Sequence, residues 1–112
     1  MSRNALIVMT TCEDAARGRE LAAALVGEAL AACVNLIPGV TSVYRWAGRV
    51  ETGSEVLLLI KTTDDRLADV ESAIRARSSY ELPEIVAVSV AGGSLDYLQW
   101  VADSVKPAHP DS

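Results

Sequence analysis

An α+β fold built on one antiparallel sheet is what this chain of 112 residues predicts. Apolar runs of strand length alternate with stretches of helical spacing, two very long extended runs meet at a tight turn, and the strands are apolar on both faces. The first run, Ala5 to Thr10, is a continuous apolar strand, and Thr11, Glu13 and Asp14 behind it are helix-start residues. From Ala15 to Leu30 the larger apolar residues fall at Leu21, Leu25, Val26 and Leu30, opposite Arg17, Glu20 and Glu28, which is a helix with one buried stripe. Two extended runs come next, Cys33 to Trp46 and Arg49 to Thr62, joined at Ala47-Gly48 as a single β-hairpin. At about 3.3 Å per residue each arm reaches roughly 45 Å, whereas a compact domain of about 100 residues spans only about 34 Å. Part of the hairpin must overhang, exposing Val43, Tyr44, Trp46 and Val50 beside backbone groups that invite another chain. The alternative is that Pro38-Gly39 and Gly53 cut the arms into ordinary strands.

Thr62-Thr63-Asp64-Asp65 caps a second helix with Leu67, Val70 and Ile74 on one side. A loop through Ser78-Ser79-Tyr80-Glu81-Leu82-Pro83 leads into a strand from Glu84 to Val90. Gly92-Gly93-Ser94 ends that strand and opens a last helix, with Leu95, Leu98, Ala102 and Val105 as its stripe and Tyr97, Gln99 and Trp100 beside it. One domain is expected over 1–105, with a flexible tail over 106–112. The order strand, helix, strand, strand, helix, strand is the split β-α-β, or ferredoxin-like, arrangement, here with an extra C-terminal helix. Both crossover helices then cover one sheet face, yet the strands at 5–10, 56–60 and 85–90 are apolar throughout, as in a sheet buried on both sides. The last helix, about 12 residues long, is too short to cover the remaining face, so association is expected. A closed ring is the default symmetry, and a ring of three fits the geometry without being demanded by it.

The net charge of −5 gives no basic footprint for nucleic acid, and half the residues are hydrophobic, which excludes a disordered chain. Two cysteines make no disulfide framework, the start Met1-Ser2-Arg3-Asn4 is no signal peptide, and no run reaches the roughly 20 apolar residues of a membrane helix. A cytoplasmic protein with reduced thiols is the expectation. There is no catalytic histidine in structured sequence, no serine elbow and no phosphate-cradling glycine loop, so a binding protein is expected rather than an enzyme.

Leu30-Ala31-Ala32-Cys33-Val34-Asn35, Ser42-Val43-Tyr44-Arg45-Trp46-Ala47-Gly48-Arg49-Val50-Glu51, Lys61-Thr62, Tyr80-Glu81-Leu82-Pro83-Glu84-Ile85 and Tyr97-Leu98-Gln99-Trp100 follow one another in this order. Together they resemble the CutA divalent-cation-tolerance family, over about Leu6 to Val105. The resemblance implies a small ferredoxin-like homotrimer similar to the nitrogen-regulatory PII proteins, linked to metal tolerance. It requires no cofactor, and it makes copper or another divalent metal the implied ligand and an unidentified protein the implied further partner.

Copper-binding members of that family are credited with a Cys on the first strand, a His before a Pro-Tyr, and a Glu after a proline. By position these are Thr10, Ser78 and Glu84, so only the Glu is present. Cys12 lies two residues beyond the Cys position, near the helix start, where the dipole is expected to lower the thiol pKa, which makes Cys12 with Glu84 the candidate metal pair. The bland reading is a helix-start cysteine and a surface carboxylate. Cys33 reads as a small buried hydrophobe and His109 as inert. A second candidate is an intersubunit cleft for a small metabolite or nucleotide, as in a PII-like sensor, built from Tyr44, Trp46, Lys61, Tyr80, Glu81 and Glu84. Lys61, directly after five apolar residues, must either pair with Glu84 or Glu55 to fix subunit register or meet a ligand's charge. Tyr44, Trp46 and Trp100 also read as interface anchors.

Overall fold

The computed structural model describes residues 3–108. Strand β1, Ala5–Cys12, leads through Asp14 into helix α1, Ala15–Gly27, and the Asp14 carboxylate accepts a hydrogen bond from the Arg17 N–H at 2.8 Å. That bond satisfies one of the backbone donors a helix start leaves unpaired. The helix ends three residues before the expected Leu30. Ala29 turns into the left-handed region at φ 56, its N–H donates to the Val26 carbonyl, and the Leu30 N–H donates back to the Leu25 carbonyl. This is a Schellman closure, with Leu25 and Leu30 in apolar register on the core side.

Strands β2, Cys33–Trp46, and β3, Arg49–Thr63, form the long hairpin with Trp46 opposite Arg49. Ala47 and Gly48 both have positive φ, 51 and 77, as in the type I′ turns whose twist matches paired strands. Neither suspected break interrupts the ladder: Gly53 pairs with Ser42, and Pro38-Gly39 forms a bulge between Ile37 and Val40 with Gly39 at φ 72. The molecule measures 47 × 27 × 25 Å, so the hairpin sets its long axis. Val43 and Val50 on the outer arm are 66% and 67% exposed.

A 3-10 turn, Asp64–Arg66, precedes helix α2, Leu67–Arg77. The expected side-chain cap is absent there, because the Thr63 hydroxyl donates to Asp65 at 2.6 Å instead of accepting from the helix. Strand β4 covers only Val86–Ser89, shorter than the expected 84–90, and helix α3 covers Leu95–Ser104 with Ser94 accepting from the Tyr97 N–H. The sheet order is β2-β3-β1-β4, antiparallel throughout.

Strand alternation divides the sheet into two faces. Val8 of β1 and Val56, Leu58 and Ile60 of β3 pack with Leu21 and Leu25 of α1 and Val70 and Ile74 of α2. Gly18 lets α1 sit close, since a Cβ there would stand 3.1 Å from Leu36 and 3.4 Å from Leu58. The opposite face carries Ile7, Met9, Leu57, Leu59 and Lys61, all half-buried, with the exposed Val86, Val88 and Ile37 around them. Helix α3 lies over part of it. Its anchor is Val101 and the expected Val105, clustered with Ala32, whereas Leu95, expected to begin the stripe, is 83% exposed. Of the expected tail, the Lys106 N–H donates to Ala29 and the Ala108 N–H to Asp65, while His109 lies outside the described residues.

Candidate functional site

Lys61 stands at the inner end of the hairpin, opposite Ile7 of β1 and Cys33 of β2. Its ammonium donates to the Tyr97 hydroxyl at 3.1 Å and lies 5.3 Å from the centre of that ring. Within one chain neither Glu84 nor Glu55 pairs with it, and α3 delivers a phenol instead. The Tyr97 hydrogen bond, more than the opposing burial, holds the Lys61 pKa above its ordinary value. Cys33 is not a buried hydrophobe either: it is half-buried, with its Sγ 3.5 Å from the same hydroxyl. Trp100, one helical turn on, tilts against Tyr97 with ring centroids 5.6 Å apart.

A second cluster forms farther out on the same face. The bulge gives β2 one extra residue, which brings Val40 opposite Glu55 and sets Ser42, Tyr44 and Trp46 on the Glu55 side of the ribbon. Burial acts to raise the Glu55 carboxyl, but hydrogen bonding with Ser42, Tyr80 and Thr11 outweighs it and leaves the group below the usual carboxylate range. Burial, together with the Glu55 contact, pushes the Tyr80 phenol well above its ordinary value. Tyr80 thus places the 78–84 loop beside Glu55 of the hairpin. Glu81 and Glu84 are exposed on and at the end of that loop.

Tyr44 and Trp46 lie on the outer arm, 48% and 44% exposed. Lys61 is twelve β3 positions from Arg49, the partner of Trp46, which at about 3.3 Å per residue is roughly 40 Å. One chain therefore does not bring the six expected cleft residues together. Only Tyr80 joins the Glu55 cluster, and Lys61 belongs to a separate one.

The CutA1 divalent ion tolerance protein family model matches residues 6–104. The chain belongs to that family. It is 43% identical over 98 residues to the divalent-cation tolerance protein CutA of Thermus thermophilus, covering 88% of this chain and 95% of that one. It is 40% identical over 101 residues to the chloroplastic protein CutA 1 of rice, covering 90% of this chain but only 57% of the relative's length. The solved structure of the Thermus thermophilus divalent cation tolerance protein superposes with a TM-score of 0.88 at 42% identity, covering 90% and 98% of the two chains.

The donor set of this chain does not match the metal ligands credited to copper-binding CutA proteins. Thr10 is buried and Ser78 half-buried, both neutral oxygens in place of a thiolate and an imidazole. Cys12 does line a small cleft with Glu13, Ser78, Ser79 and Tyr80, but Glu84 is not among the residues lining it. The expected thiol activation is reversed: burial first, and then the Asp14 carboxylate, raise the Cys12 pKa against a smaller effect of Arg17. The residue that caps α1 thus adds to the effect of burial. Among the described residues no three His, Cys, Asp or Glu side chains stand together as a metal-ligand set.

Tyr97, Cys33, Thr11 and Ser42 are polar participants that the sequence does not single out, and Glu55, expected as a partner for Lys61, sits instead with Ser42, Thr11 and Tyr80. The bulge could have been anticipated from Pro38-Gly39, and counting one extra residue there would have put Ser42 beside Glu55. Nothing in the chain's periodicity announces that α3 presents Tyr97 to the sheet.

Proposed function

We propose that this CutA-family chain acts as a homotrimeric, ferredoxin-like binding or signalling protein of the divalent-ion response, in the cytoplasm, rather than as an enzyme. The observation that carries the reading is the second sheet face, where Ile37, Val86 and Val88 remain 42%, 48% and 43% exposed around a half-buried apolar centre that α3 covers only in part. Contiguous apolar surface of this kind on a small chain marks association. The overhanging hairpin adds unpaired edge groups that a neighbouring copy can meet. Among the described residues no helix is long and apolar enough to cross a membrane, and Cys12 and Cys33 are free thiols.

Divalent-metal binding is part of the proposal through the assembly, since the ligands within one chain are incomplete. A thermal-shift series with copper, zinc and cobalt tests it. A copper-dependent rise that Cys12→Ser removes supports coordination involving that thiol, because ligand binding to the native state raises the melting temperature by mass action. Silence with every metal, alongside a rise with a nucleotide that Lys61→Ala removes, favours the PII-like sensor. That second reading is kept because Lys61 has no carboxylate partner among the described residues.

A further inference from the structure

We propose that Lys61, Tyr97 and Trp100 form a carboxylate-binding site on the second face of the sheet. The inference rests on the proposed closure of this face by copies of the chain. The Lys61 ammonium has three donors and spends one on Tyr97. Its neighbours Ile7, Leu59 and Cys33 offer no charge, and no carboxylate of the described residues lies within ion-pair distance. An ammonium in the open can keep its water, but one enclosed between subunits without a counter-charge is costly.

The surrounding groups select the kind of counter-charge. The Tyr97 hydroxyl accepts from Lys61, so its own proton is available, with the weak acceptor Cys33 Sγ at 3.5 Å as its internal alternative. Trp100, with its centroid 5.6 Å from that of Tyr97, adds an apolar wall and an indole N–H on the same helix. One cation, one hydroxyl donor and flat apolar flanks suit a carboxylate, which is acceptor-only with two oxygens. One lysine balances the single charge of a carboxylate, whereas a nucleotide phosphate would call for a further cation from a second copy. The carboxylate comes either from an Asp or Glu of a second copy or from a small free carboxylate, and the chemistry of the site is the same for both.

Sedimentation dilution series of the wild type, Lys61→Met and Lys61→Arg, each checked for native circular dichroism, are combined with thermal shifts in acetate, succinate and citrate against chloride at equal ionic strength. If a second copy supplies the group, Lys61→Met weakens assembly by about 30-fold or more while Lys61→Arg largely restores it, as expected when one partner of an enclosed charge pair is removed. If a free carboxylate fills the site, one of the three salts raises the wild-type melting temperature above the chloride control and Lys61→Met loses the rise. Assembly of Lys61→Met as tight as wild type, with no carboxylate response in the wild type, overturns the site. A wild type that sediments as a monomer refutes closure by copies, and the carboxylate arm alone then decides the site.

Discussion

Glu55 and Tyr80 meet where a strand bulge and a surface loop come together, and each leaves its mark on the other's titration. Because the Glu55 carboxyl lies below its ordinary value in the folded chain, its contribution to stability is full above the unfolded carboxylate pKa and is lost as pH falls through the lowered one. Tyr80→Phe removes one of the three hydroxyls, so the Glu55 midpoint should move up toward the ordinary range while the fold persists. Carboxyl NMR titration of the two proteins measures this, and an unchanged midpoint would mean that Ser42 and Thr11 suffice. At this scale the sequence was only partly legible. Lys61 stood out as a charge closing an apolar run, but its partner did not, because a residue 36 positions away reaches it only once α3 has docked. The direction of the Cys12 thiol pKa differs from expectation for a related reason: burial and the helix's own anionic cap, Asp14, both raise it.

Secondary-structure elements were more readable where local chemistry was explicit. Ala47-Gly48 fixed both ends of the hairpin turn because few residue pairs suit a turn with two positive φ values. The end of α1 was missed because alanine is a strong helix former and an Ala at a left-handed position leaves no trace in a propensity pattern. That position yields a clear expectation: Ala29→Gly relieves the Cβ strain at φ 56 and should stabilise the chain by about 1 kcal/mol, read as a higher urea midpoint. A lower midpoint would show that the flexibility gained by the unfolded chain outweighs the relief. Helix α3 was placed correctly and Val105 of its expected stripe is buried, but Leu95 at the start of that stripe is exposed and Val101 joins the anchor instead. An apolar pattern near a chain end does not say which apolar residue finds the core.

For the molecule as a whole, the informative signal was that β1 and the inner half of β3 carry apolar residues on both sides, and the structure resolves this into two faces with unequal cover. Two helices close one face; a ten-residue helix leans on the other. If copies of the chain close the second face, folding and assembly are linked, and the melting temperature should rise with protein concentration. Scanning calorimetry over a wide concentration range tests this, and a constant melting temperature would indicate that the isolated fold tolerates its open face. How many copies take part was not legible, because apolar area records that a surface is covered and not the symmetry of what covers it.

The bulge at Pro38-Gly39 works as a half-period phase shift written into a single strand. Inside it, odd-numbered β2 residues look toward α3; beyond it, even-numbered ones do, and Tyr44 and Trp46 are displayed where Val43 and Arg45 would otherwise stand. Losing one residue at that point would turn the outer β2 side chains to the opposite face or break their pairing with the uninterrupted β3, so the length of this segment fixes which side chains each face displays.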